Sequence, residues 1–343
     1  MRACIGTAVL AGLLFVCGVA AAQEAPVFAP KATIPLANVN GRIDHYSVDV
    51  SGQRLFACAN ANKTVEVIDL KAGKQVHTIP NVAQPQGCYF DAATNRLWVA
   101  SRGDATVKIF DGTTFDLLQT VTFSSDADNL RYDARSKQVI VGYGGEKSVR
   151  DQVSRVGATD GALAFMDSTG KKIREIPIDA HPESFRLEET GTRIFVNVTD
   201  RKEIEVADDV KGTIITRWPV TVCSSNLPMS LDEAHHRLFI GCQIPSMLAV
   251  IDTETGKAVA SYPTVDRTDD LFYDAGKGRI YVLGLGFIDV FQQKDADHYD
   301  RISRFPTPGQ AQTGLFVPDL GELFKAVTGA GGQGLAIQVF ETK

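Results

Sequence analysis

Seven residues stand at nearly even spacing along this 343-residue chain: Asp44, Gln86, Asp128, Glu183, Leu227, Asp269 and Gln312, at intervals of 42, 42, 55, 44, 42 and 43. Four are carboxylates and two are carboxamides, Asn226 stands beside the apolar member, and His45, His181 and Asp270 lie close in sequence. Brought together, such acids raise one another's pKa unless a cation or basic groups compensate. Arg131 and Arg186, three residues on from Asp128 and Glu183, offer one compensation, which would make the set a closed polar plug. The other outcome is a cation site. Asp44, Asp128, Glu183 and Asp269 would then hold a divalent ion, calcium or magnesium by their oxygen ligands, or a transition metal if His45 and His181 take part.

Whether these side chains meet depends on the repeat that carries them. Eleven residues after each comes an apolar pair: Leu55-Phe56, Leu97-Trp98, Val139-Ile140, Ile194-Phe195, Leu238-Phe239, Ile280-Tyr281 and Leu323-Phe324. A period of 40 to 50 residues marks a propeller or solenoid. Residues 44–80 read as four short strands separated by Ser51-Gly52, Asn60-Ala61-Asn62 and Ala72-Gly73, the turn chemistry of antiparallel hairpins. The expected fold is all-β, a seven-bladed β-propeller of four-stranded antiparallel blades. The spaced residues open the innermost strand of each blade, so they should gather around one mouth of the central channel.

The last copy ends after its third strand at Lys343, while Thr33-Ile34-Pro35-Leu36 near the start matches outer-strand endings such as Thr78-Ile79-Pro80 and Arg304-Phe305-Pro306. An N-terminal strand is therefore expected to complete the last blade and close the ring. Six copies carry an acid six residues before the apolar pair (Asp49, Asp91, Asp133, Glu188, Asp232, Asp274), and five an arginine one residue before it (Arg54, Arg96, Arg193, Arg237, Arg279). Across a tight hairpin these predict structural ion pairs. One copy departs from the pattern. Its connection over residues 143–161 is far longer than the others, the kind of insertion that often carries function.

The first residues have the look of a secretion signal: Arg2, an apolar run from Ala8 to Val19, then Ala20-Ala21-Ala22 before Gln23. The run is shorter than the roughly 20 residues of a spanning helix. Residues 1–22 are thus read as a signal peptide, residues 23–343 as one propeller domain, and the location as periplasmic or secreted, with no membrane span after cleavage. With 35 basic against 41 acidic residues the chain is acidic, which argues against non-specific nucleic-acid binding. Past the signal lie Cys58, Cys88, Cys223 and Cys242. Cys223 with Cys242 in one blade, and Cys58 with Cys88 across neighbouring blades, is the disulfide pattern to test first, against four buried thiols.

The repeats from Arg54-Leu55-Phe56-Ala57 to Val67-Ile68-Asp69, and from Arg237-Leu238-Phe239-Ile240-Gly241-Cys242 to Thr255-Gly256-Lys257, resemble the YVTN-repeat family of bacterial extracytoplasmic seven-bladed propellers. Ala180-His181-Pro182-Glu183-Ser184-Phe185 and Asp295-Ala296-Asp297-His298-Tyr299 resemble stretches of its uncharacterised periplasmic members. The chain departs from the family in the long third-blade connection and in the glycine-rich residues 329–334 of the last blade. The resemblance covers the whole chain beyond the signal and implies the fold, but no activity. Two functions follow. The first is a non-catalytic, monomeric binding or interaction protein, presenting Asp44, His45, Gln86, Asp128, Arg131, His181, Glu183, Arg186, Asn226, Asp269, Asp270 and Gln312 to a small molecule or protein partner. No Gly-x-Ser-x-Gly or other nucleophile motif stands against it. The second, by resemblance to propeller lactonases and lyases, is a metal-dependent hydrolase or lyase that uses the acidic mouth to hold a divalent cation.

Overall fold

The computed structural model describes residues 27–145, 160–309, 311–328 and 334–343, and the backbone of 147–149 and 152–154. The proposed signal segment and most of the glycine-rich run lie outside the described residues. Seven four-stranded antiparallel sheets follow one another around a ring, each a simple up-and-down meander. The first six blades span residues 46–79, 85–122, 127–178, 185–219, 224–263 and 270–306. The seventh takes its three inner strands from residues 314–342 and its outer one, β1 (Phe28–Leu36), from the start of the chain. The register of that closure, Thr33 opposite Gln338 and Ile34 opposite Ile337, places the expected segment where the sequence puts it. The strand also starts earlier, with Phe28 buried against Tyr281, Phe305 and Phe340.

The alternating strands put their apolar faces between blades, and seven buried clusters result, one at each blade junction. The apolar pairs that define the repeat are at their centre: Leu55, Phe56, Leu97, Trp98, Ile194, Phe195, Leu238, Phe239, Leu323 and Phe324 are all wholly buried. A bulge interrupts every outer strand pairing, as between Val67 and Ile68 or Val290 and Phe291, and adds the twist that splays the blades outward. Among the described residues there is no α-helix, only single 3₁₀ turns at Asn60–Asn62, Thr199–Arg201 and Pro318–Leu320.

The acid and arginine columns form fewer hairpin ion pairs than expected. Asp49 with Arg54 (2.7 Å) and Glu188 with Arg193 (2.6 Å) pair as predicted. Elsewhere the turn's own amides and hydroxyls capture the acid, as Ala93 and Thr94 do for Asp91 and Ser136 does for Asp133. The arginines reach onward instead. Arg54 donates to Gly112 O in the second blade, Arg96 to Ser168 O in the third, and Arg237 pairs with Asp297 in the sixth. Their main office is to clamp one blade to the next. The cysteine pattern is half realised: Cys223 and Cys242 form a disulfide within the fifth blade, while Cys58 and Cys88 are neighbouring buried thiols in the cluster between the first and second blades.

Candidate functional site at the channel mouth

The inner strands are freed from the ladder where the seven spaced residues sit. In the second, third and fifth blades a bulge sets two residues opposite one: Gln86-Gly87, Asp128-Asn129 and Leu227-Pro228. In the other four blades the assigned strand begins only after Asp44, Glu183, Asp269 and Gln312. Released in this way, side chains turn toward the axis. All seven residues line one cavity of about 250 Å³ at one end of the channel, with His45 among them. Asn226 does not join them. It is wholly buried and donates to Asn197 Oδ1 and Glu203 O in the fourth blade, so its role is to pin two blades together.

Three arginines that the spacing did not single out, Arg42, Arg102 and Arg267, complete the lining with Gln243. Arg42 and Arg267 stand two residues before Asp44 and Asp269, and residues two apart in extended chain face the same way. Arg102, in the turn after the second strand, and Gln243, near the end of the second strand, stand at the position of Asn60 in the first blade, which donates to Asp44 and Gln86. Both columns were present in the sequence at the same period as the acids.

The four carboxylates expected to share one cation fall into two groups. Arg42 Nη2 lies between Asp44 Oδ1 (2.9 Å) and Asp269 Oδ2 (3.1 Å), which occupies that half of the mouth with a guanidinium. His45 adds a second positive charge there, 3.3 Å from Asp270 through Nδ1 and 3.8 Å from Asp44 through Nε2. Burial alone would lower the His45 pKa, but the charge and hydrogen bond of Asp270, with Asp44 and Asp128, raise it to about 10. Burial pushes Asp44 up to about 7 against the pull of His45 and Arg42, and it raises Asp269 as well.

The other half is backed by His181, which was expected to face the ligand but is wholly buried and does not itself line the cavity. Its Nδ1 lies 2.7 Å from Gly144 O, and a carbonyl only accepts, so Nδ1 carries a proton. Nε2 faces Asp128 Oδ2 at 3.4 Å and Asp126 Oδ2 at 3.8 Å. Gly144 (φ +85°) and Gly145 (φ +71°) bring the carbonyl into place, and a Cβ on Gly145 would stand 2.1 Å from His181 N. Donor atoms of Asp128, His181 and Glu183 lie within 4.8 Å of one another. Both described ends of the long third-blade connection therefore pack beside the mouth, since Gly161 also abuts Ala180. Between those ends, Lys147–Val149 and Gln152–Ser154 pair as a small hairpin.

Among the described residues Arg131 and Arg186 form no ion pair with the mouth acids, although the charge of Asp128 reaches Arg131. They lie a layer deeper in the channel, where Arg131 donates to Leu130 O (2.7 Å) and Arg186 to Phe185 O (2.9 Å). Lys325, wholly buried, donates to Gly284 O and Ala311 O, and burial lowers its pKa to about 8.

No family model matches the chain. It is 21% identical over 255 residues to the uncharacterized protein YncE of Salmonella typhimurium (strain LT2), covering 69% of this chain and 67% of that one, and equally to YncE of Salmonella typhi. A chain in the crystal structure of the mitotic checkpoint complex superposes with a TM-score of 0.73 at 11% identity, over 98% of this chain and 99% of that one. At that identity the likeness shows the propeller fold alone. Among the described residues, no helix is long and apolar enough to cross a membrane.

Proposed function

We propose that this chain is an extracytoplasmic binding propeller of the YVTN-repeat kind, carried out of the cytoplasm by residues 1–22, which acts as a monomer by holding a small polar ligand in the channel mouth. The observation that supports this most is the mixture of charge in one cavity: Arg42, Arg102 and Arg267 share its lining with Asp44, Asp128, Glu183 and Asp269. Such a lining suits a molecule of amino-acid size bearing both an ammonium and a carboxylate, or many hydroxyls. The described lining offers no serine, threonine, cysteine or lysine as a covalent nucleophile. The test is a thermal-shift panel of free amino acids, betaines, short dicarboxylates and polyols. A member that raises the melting temperature of the wild type but not of Arg42→Gln supports the reading, and equal shifts in both count against it.

The second reading, a metal-dependent hydrolase or lyase, draws its support from Asp128, His181 and Glu183. An imidazole whose Nδ1–H is held by a carbonyl presents Nε2 in the manner of a metal-ligating histidine. Two carboxylates and one imidazole suit zinc or manganese better than calcium. Titrating these ions into chelator-treated protein decides it. A shift in melting temperature that disappears in both Asp128→Asn and Glu183→Gln favours the metal reading, and indifference to every ion leaves the binding reading alone.

A further inference from the structure

Below the mouth, two guanidiniums share the channel without an acid on either. Each of Arg131 and Arg186 makes one hydrogen bond, to the carbonyl of the residue before it, and neither forms an ion pair among the described residues. A guanidinium has five N–H donors, so most of the donors on both remain for the lumen. Between them and Asn129 and Ser184 lies a cavity of about 20 Å³, room for one water-sized species. Glu183, Asp269 and Asp270 border the same space on the mouth side. Two of these acids are already engaged: Asp269 by Arg42, and Asp270 by His45 and by the Gly314 amide at 2.8 Å. Counting Arg42, His45, Arg131, Arg186 and Lys325 against Asp44, Asp128, Glu183, Asp269 and Asp270, the channel balances as a whole, but Arg42 and His45 are the cations in contact with Asp44, Asp269 and Asp270, which leaves Arg131 and Arg186 as the pair without an ion-pair contact of their own.

We propose that Arg131 and Arg186 form a site for a single monatomic anion of the halide class, held inside the channel by charge-assisted hydrogen bonds from both guanidiniums. A water molecule would fill the space but leave two like charges beside each other in the channel. An anion removes that repulsion and uses donors that have no other acceptor. Burial and the Arg131 charge hold Arg186 well below the usual arginine range, the direction expected of a cation that lacks its counter-ion. The site is separate from the mouth reading, and its failure would leave that reading untouched because no mouth ligand enters the test.

The experiment is a melting series on the full chain, in methanesulfonate buffer of constant ionic strength, with methanesulfonate replaced stepwise by chloride or bromide. A saturable rise of about 2 °C or more is expected in the wild type and none in Arg186→Gln. Crystals soaked in bromide should show anomalous density between the two guanidiniums. A melting temperature indifferent to halide, with no bromide in the channel, overturns the proposal. Should Arg186→Gln fail to fold, Arg131→Gln takes its place and the bromide density decides.

Discussion

Between blades, Phe56, Trp98, Phe165, Phe195 and Phe239 are wholly buried in clusters that each join two sheets, whereas along the channel the same sheets carry Asp44, His45, Arg131, Arg186 and Asp270. Each junction is apolar and closed by shape. The channel is charged, and its groups are satisfied by one another, by carbonyls and by what enters from solvent. The contrast separates stability from function. A propeller gains its free energy from repeated neighbour packing, which leaves the axis free to hold groups that no compact core would tolerate unpaired. Substitutions in the two regions should therefore act on different observables.

The largest effect should come from breaking the ring. Removing residues 23–36 takes away Phe28, Ile34 and Leu36, worth roughly 5–9 kcal/mol by burial alone, and leaves a bare strand edge at 335–342. Loss of cooperative unfolding, or aggregation on purification, is the expected outcome. A soluble variant that melts like the wild type would contradict the closure. One step smaller is Phe56→Ala in the cluster between the first and second blades, where Phe56 stacks on Phe90 at 5.3 Å. Denaturant titration should show a loss of about 3–5 kcal/mol with ligand shifts unchanged.

In the channel the effects should be smaller and depend on pH. His45 is raised in the folded state, from an ordinary value near 6.5 to about 10, so its contribution is fully present below pH 6.5 and fades as pH rises toward 10. Lys325 has the opposite sign. Its depressed value means stability is regained between about pH 8 and 10.5. Asp44, raised to about 7, loses its own contribution as pH rises from about 4 to 7, so the clean window is pH 7 to 8. There the melting temperature should fall with rising pH in the wild type and fall less in His45→Gln; equal slopes would show that His45 is not held protonated. The smallest effect on stability belongs to Arg42→Gln. Its guanidinium is more than half exposed, so the loss should stay within about 1 kcal/mol, yet this variant should lose the ligand response.

The sequence announced the ring because its signal is redundant. Seven apolar pairs at one period, each wholly or almost wholly buried, report the same junction seven times. The strand-opening column was legible for the same reason. What it could not convey is depth: three residues of extended chain cover about 10 Å, enough to set Arg131 and Arg186 a layer below the acids they were expected to neutralise and out of ion-pair contact with them. Asn226 misled by a single position, since the bulge turns Leu227 to the cavity and leaves Asn226 facing the fourth blade. Arg42, Arg102 and Arg267 were missed because only one column was followed, although their neighbours at i+2 and in the second turn repeat with the same period. Cys58 and Cys88 came together as spacing suggested without forming a bond, which spacing has no means to specify.

The most direct measurement is a crystal structure grown with the panel compound that gives the largest thermal shift. Density inside the mouth, within hydrogen-bonding distance of Arg42 and of Asp44 or Asp128, is the predicted result. A compound seated instead on the outer strands, with the mouth holding only water, would contradict the assignment of binding to the channel.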